Sequence, residues 1–291
     1  MTVQFSLGNV TIHRIVEQEG PMFDPFTVFP SLSKELLEED LARPGPRYVD
    51  PATGQLLLCI QSYLVRTPHH TILIDTCVGN HKPRPARAFW HMMDSDRYQR
   101  NLAAAGVRVE DVDYVMCTHL HVDHVGWNTR LDNGRWVPTF PKAKYVFADR
   151  ELAYWTARHE ADPRPVPWVQ DSVLPIVEAN RVERVRSDHA LDDIVRLVPS
   201  PGHTIDHYCV HVGRPGADAL ITGDMMHAPL QVRHPEIGMM SDYDSHLAGE
   251  TRRALFARFC DSPTLICTGH FPRPSSGRFV RRGNGFDFAF V

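Results

Sequence analysis

The sequence predicts an α/β fold, and three features carry that prediction. Apolar strand-like runs alternate with helix-spaced segments through both halves of the 291 residues, with no low-complexity linker between them. Four of those runs lead into a histidine or an aspartate, three times directly after a glycine, in Gly202-His203, Gly223-Asp224 and Gly269-His270. Histidine is also abundant, with 17 copies in a composition that is otherwise ordinary at 43% hydrophobic and 23% charged.

Residues 10–16 read as a strand, and 56–65 with 71–75 read as a hairpin across Thr67-Pro68-His69-His70. Between them, residues 20–55 carry six prolines together with Phe23, Phe26 and Phe29. Only 33–42 shows helical spacing there, with Ser33 as its cap. Residues 94–106 are helix-spaced and stop at Gly106. Strands are expected at 112–118 and 144–148, then a helix over 149–159 opened by an acidic cap. Short strands follow at 194–199, 207–212 and 219–222, a helix at 245–260 and a strand at 265–268. No repeat of solenoid length is visible. The expectation is a single domain over 1–291 with a Pro/Phe-rich insertion at about 20–55.

A net charge of −4 gives no basic footprint for nucleic acid or an anionic membrane. No run approaches the ~18 apolar residues of a membrane span, and the N-terminus lacks a secretory pattern. The expected protein is soluble and cytoplasmic, with a small-molecule substrate and neither nucleic acid nor membrane as partner. Its six cysteines form no Cys-x-x-Cys pair, and several lie in strand-like runs, so they read as free thiols.

The chemistry concentrates in His119-Leu120-His121-Val122-Asp123-His124, four potential metal ligands in six residues after an apolar run. His203 follows another strand on a Pro-Gly turn, and Asp224 and His270 follow two more. With its complete H-x-H-x-D-H motif and the later His, Asp and His in the same order, the chain resembles the metallo-β-lactamase superfamily. The resemblance runs from the N-terminal strands to His270 and implies a four-layer αββα sandwich. It also implies two divalent metal ions, Zn²⁺ first among them. His119, His121 and His203 would hold one ion, Asp123, His124 and His270 the other, and Asp224 would bridge. Imidazole and carboxylate without thiolate also suit Fe, Mn or Co.

The motif keeps the hydrolase pattern, and the overall layout looks like the quorum-quenching lactonases and the methyl parathion-type hydrolases. The resemblance therefore implies a dinuclear hydrolase whose bridging hydroxide opens a lactone or related ester, with Asp123 moving the proton to the leaving oxygen. Related lactonases usually carry a tyrosine three residues after the bridging aspartate. This chain has His227, which could donate a hydrogen bond or a proton, or could simply pack. Phe23, Phe26 and Phe29 are expected to line the substrate approach, with core packing as the alternative. Asp75, after Ile72-Leu73-Ile74, is expected to orient a ligand histidine. The other readings weighed are a mononuclear iron enzyme like the persulfide dioxygenases and a phosphotriester hydrolase. Related lactonases are often dimers, so a homodimer is a further expectation.

Overall fold

Tyr145, Val146 and Phe147 are all fully buried, as a strand covered on both faces requires. They lie in one of two mixed sheets in the computed structural model, which describes residues 4–291. The chain forms two compact units, residues 4–17 with Ile60–His189 and Gln18–Cys59 with Ala190–Val291.

In chain order the elements begin with β1 (Gln4–Leu7), β2 (Val10–Phe23), α1 (Pro25–Val28), α2 (Lys34–Leu41), β3 (Leu56–Arg66), β4 (Thr71–Ile74) and α3 (Arg97–Ala104). They continue with β5 (Tyr114–Met116), β6 (Thr129–Asp132), β7 (Arg135–Pro138), β8 (Lys144–Ala148), α4 (Asp149–Ala161), α5 (Leu174–Glu178) and β9 (Val182–Val185). The last are β10 (Val195–Pro199), β11 (Tyr208–Arg214), β12 (Ala217–Ile221), α6 (Leu230–Arg233), α7 (Ser245–Phe259), β13 (Leu265–Cys267), β14 (Ser276–Arg282) and β15 (Gly285–Phe290).

The first sheet has the order β1-β2-β3-β4-β5-β8-β9. The β3–β4 hairpin closes where expected, with Arg66 opposite Thr71, and β4, β5, β8 and β9 run parallel. The second sheet has the order β10-β11-β12-β13-β14-β15 and is antiparallel except between β12 and β13. Parallel neighbours place strand C-termini side by side, so Asp224 after β12 and His270 after β13 emerge at one end of that sheet.

Several expectations need correction. β2 continues to Phe23, well past the expected end at Val16, and β5 is limited to Tyr114–Met116. Asp113 has left the strand to accept from the Thr71 N–H, and Thr118 has turned towards Asp75. The acidic cap on α4 is absent. Ala148 occupies the cap position, Asp149 is already helical, and its carboxylate pairs with Arg184. Ser33 does cap α2, accepting from the Leu36 N–H at 3.1 Å.

The core of the second unit has two parts. Phe256, Phe271, Phe279 and Phe288 pack with Ile266, Leu220 and Met226. Phe29 packs with Leu37, Tyr48, Leu56 and Leu230. Burying each such side chain contributes roughly 1.5–3 kcal/mol. In the first unit, Asp171 anchors the irregular stretch after β4. Arg84 grips its carboxylate with two bonds of 2.7 Å, and Lys82 lies 3.5 Å away with its ammonium 3.8 Å above the Trp136 ring. Burial pulls the Lys82 amine down to about 7.

Candidate metal centre

The first unit carries the H-x-H-x-D-H segment on the turn that follows β5. The turn closes on itself through the His124 N–H and the His121 carbonyl at 3.1 Å. Its outer side is pinned by Glu151, which accepts from the Leu120 N–H, and by Trp168, which donates to the Leu120 carbonyl at 2.7 Å. These bonds bring the His119 ring to 4.6 Å from His121 and 4.2 Å from His124. Asp123 is half-buried, with its carboxylate 3.8 Å from His124 Nε2.

Asp75 sits just after β4 at φ +59°, with its carboxylate buried. It accepts from the Thr118 N–H at 2.8 Å and from the Thr118 hydroxyl, and it meets His124 Nδ1 at 2.9 Å. It thus contacts one histidine of the H-x-H-x-D-H segment. His119 Nδ1 lies 3.1 Å from the Thr118 hydroxyl. Glu17, missed in the sequence, holds the neighbouring backbone by accepting from the N–H groups of Val78 and Gly79 and from Trp127. Burial pushes its carboxyl up to about 7. Gly126 is required by close approach, since a Cβ there would lie 1.9 Å from the Val78 carbonyl carbon.

The second unit assembles His203, Asp224, His227 and His270. Asp224 lies on a 3₁₀ turn after β12, and its Oδ1 meets His270 Nε2 at 2.9 Å. Its Oδ2 meets His227 Nε2 at 3.1 Å and His203 Nε2 at 3.4 Å. Ligand atoms of Asp224, His227 and His270 all lie within 4.8 Å of one another. The His227 ring stacks on His270 with centroids 5.3 Å apart, and burial lowers its pKa.

Asp242, which nothing in the sequence singled out, fixes His203. Its Oδ1 lies 2.8 Å from His203 Nδ1, its side chain is fully buried, and its other oxygen accepts from the Met239 N–H. The loop beyond it is tied back by Tyr243 N–H donating to the His203 carbonyl and Asp244 N–H donating to that of Gly202. Gly202, at φ +128°, has no room for a side chain, because a Cβ would stand 2.3 Å from the Ala248 nitrogen. His270 is held by the Cys59 carbonyl, 2.9 Å from its Nδ1.

The donors fit a transition-metal ion. All are imidazole nitrogen or carboxylate oxygen, and metal bonds of ~2.0–2.1 Å in tetrahedral geometry put neighbouring ligand atoms about 3.3 Å apart. The separations around Asp224, 2.9–3.4 Å, lie near that value.

The aromatic residues divide. Phe29 is fully buried in the α1–α2 core and Phe23 packs against that core. Phe26, 41% exposed, is the one that presents its ring outwards. Trp90 and Trp127 are buried, Trp127 stacked on Tyr98.

A family model described as the metallo-beta-lactamase superfamily matches residues 60–270. The chain belongs to that superfamily. An N-acyl homoserine lactonase of a Bacillus species is 26% identical over 165 residues, 53% of this chain and 58% of that relative. Another, from Bacillus cereus, is 25% identical over the same shares. The chain thus spans less than two thirds of the length of the curated relatives it matches. Among solved structures, the superfamily hydrolase AbOPH aligns with a TM-score of 0.80 at 22% identity, covering 100% of this chain and 97% of that one. AidC, a dizinc quorum-quenching lactonase, aligns with a TM-score of 0.79 at 18% identity and the same coverage. These likenesses show the fold, and the α/β fold of the metallo-β-lactamase type expected from the sequence is the fold of this superfamily member. Among the described residues, no helix is long and apolar enough to cross a membrane.

Proposed function

We propose that this metallo-β-lactamase superfamily chain is a metal-dependent hydrolase that opens a lactone or a related ester. In this reading the chain works as a single functional domain over 1–291, and its two ligand sets act as one dinuclear centre. His119, His121 and His203 would hold one divalent ion with Asp224, and Asp123, His124 and His270 would hold the other with the same aspartate. One observation carries the reading. Nδ1 of His119, His124, His203 and His270 is engaged by Thr118, Asp75, Asp242 and the Cys59 carbonyl respectively, which leaves Nε2 as the ligand atom in each case. Histidines committed in this way behave as pre-oriented metal ligands. Zinc is the ion proposed, in keeping with the dizinc state named for AidC.

Bound there, the ions would supply a water activated near neutral pH and a Lewis acid for the ester carbonyl. The chain's own groups do the rest. Asp123, partly open to solvent, would carry the proton to the departing oxygen. The His227 backbone is held by Gln231, which accepts its N–H at 2.7 Å, and its ring would donate a hydrogen bond to a substrate oxygen. Its Nδ1 is buried with no hydrogen-bond partner among the described residues. A homodimer is proposed with this reading, and sedimentation measures it.

The test is a panel of short- and long-chain acyl-homoserine lactones, aryl esters, a phosphotriester, a β-lactam and a glutathione thioester, run on metal-quantified protein. Lactone or ester hydrolysis that a chelator removes and added Zn²⁺ restores is the expected result. Hydrolysis unaffected by exhaustive chelation would sink the proposal.

Apolar surface beside the His203 loop is proposed to receive the substrate's acyl chain. Met240 and Tyr243 are 52% and 54% exposed, and the Met240 N–H donates to the Val28 carbonyl at the end of the helix that carries Phe26. Paired Phe26→Ser and Met240→Ser substitutions are expected to raise KM for long-chain lactones about tenfold, from ~0.8 kcal/mol per methylene left in water. Short-chain turnover should stay within about twofold on the same accounting. Equal effects on both chain lengths would show that this surface serves another purpose.

A further inference from the structure

We infer that His207, working through Ser200, is a positioning residue that sets the backbone of Asp224 and thereby its carboxylate. The inference rests on the reading of Asp224 as a metal ligand.

His207 is fully buried. Its Nε2 lies 3.0 Å from the Asp224 backbone nitrogen, and its Nδ1 lies 2.7 Å from the Ser200 hydroxyl oxygen. A backbone N–H can only donate, so Nε2 must be the acceptor. The ring proton then sits on Nδ1 and points at Ser200, whose oxygen also receives the Cys209 thiol at 3.3 Å. The Ser200 hydroxyl proton is left one acceptor, the His207 carbonyl at 3.4 Å, while the Ser200 N–H donates to that same carbonyl at 2.9 Å. The Cys209 thiol also reaches the Thr222 carbonyl at 3.4 Å, while the two ring nitrogens of His207 link Ser200 to the Asp224 backbone.

The arrangement has two consequences. Residues 200 and 207 bracket the loop that carries His203, so bonds between them close that loop at its base. The outward face of the His207 ring meanwhile holds the turn that carries Asp224, the carboxylate facing His203, His227 and His270. Two ligand loops are thus registered by one imidazole that itself faces a backbone N–H rather than a metal. The sequence shows only a His-x-x-x-His spacing from His203, which gives no hint that the second histidine binds backbone.

Isosteres separate this role from simple packing. A glutamine amide reaches roughly to the position of Nε2, and an asparagine amide only to that of Nδ1. His207→Gln can therefore still accept from Asp224, whereas His207→Asn keeps the Ser200 contact and leaves the Asp224 N–H without its acceptor. Metal-free protein titrated with Co²⁺ gives a visible spectrum that reports ligand geometry independently of turnover, and competition with a chelator gives affinity. His207→Asn is expected to weaken binding at least tenfold, within the ~10–100-fold range for groups that orient ligands. The Co²⁺ bands should shift, with melting of the metal-free chain close to wild type. His207→Gln should recover most of the affinity, and Ser200→Ala should fall between the two. If His207→Asn does not fold, the ordering of His207→Gln and Ser200→Ala against wild type carries the test. A wild-type chain that takes up no metal would overturn the reading of the site, and this inference with it. Normal uptake by wild type with equal affinity and unchanged spectra in all the variants that fold would overturn the inference alone.

Discussion

Asp224→Ala is expected to strip bound metal from the protein and to lower hydrolysis by about a thousandfold or more, the ~4 kcal/mol of barrier that each three decades represents. The reason lies in the contacts of one carboxylate. Its two oxygens face the Nε2 atoms of His203, His227 and His270 at 2.9–3.4 Å, so removing it leaves three imidazoles with no shared anionic partner. A metal-free chain should tolerate the change, because the buried carboxylate costs desolvation when no cation balances it. Melting of the metal-free variant is therefore expected within a few degrees of wild type. Metal analysis and circular dichroism on the same sample check both halves, and an Asp224→Ala protein with a full complement of tightly bound metal would refute the assignment.

Asp171→Ala should do the reverse, damaging the fold and sparing the metal ligands. Asp171 is the counter-ion for two buried cations, and Arg84 holds it through two bonds of 2.7 Å. Removing one partner of a buried pair costs about 3–5 kcal/mol, because the other charge stays desolvated. Lys82 can shed part of that cost by losing its proton, since burial already draws its amine down to about 7. Arg84 cannot, so most of the penalty falls there. A drop in melting temperature of roughly 10 °C follows for a protein of this size. Metal content of the folded fraction should be unchanged. A variant that melts with wild type would mean that Arg84 finds another acceptor.

The two cases show what the sequence could reveal. The seven expected metal ligands stand where strands of strong apolar character end, and local pattern suffices to find strand ends. β8 was legible to the residue, and the β3–β4 hairpin in register, because their apolar runs are bounded by polar residues. The β6–β7 hairpin carries an equally plain signal in Asn133-Gly134, both at positive φ. β15 alternates Phe286, Phe288 and Phe290 onto the core, another period-two pattern that was there to be read.

The partners of the ligands are a different matter. Asp242 reaches His203 from 39 residues away, and the Cys59 carbonyl reaches His270 from 211. Neither distance leaves a local trace. Asp75 was anticipated only because it too ends an apolar strand. Phe29 illustrates the converse: a phenylalanine in a Pro-rich stretch looks available to a ligand, yet α1 and α2 turn it into the core. Composition cannot tell which aromatic in such a segment faces inwards.

The central claim, that this superfamily member is a hydrolase working through two metal ions on these ligands, is tested most directly by counting metal against activity. Metal-free protein titrated with Zn²⁺ should bind two ions per chain, with lactone or ester hydrolysis appearing as the sites fill. His121→Ala should remain folded, lose at least one ion and lose hydrolysis. A single iron per chain with oxygen uptake, or full hydrolysis by His121→Ala with undiminished metal, would contradict it.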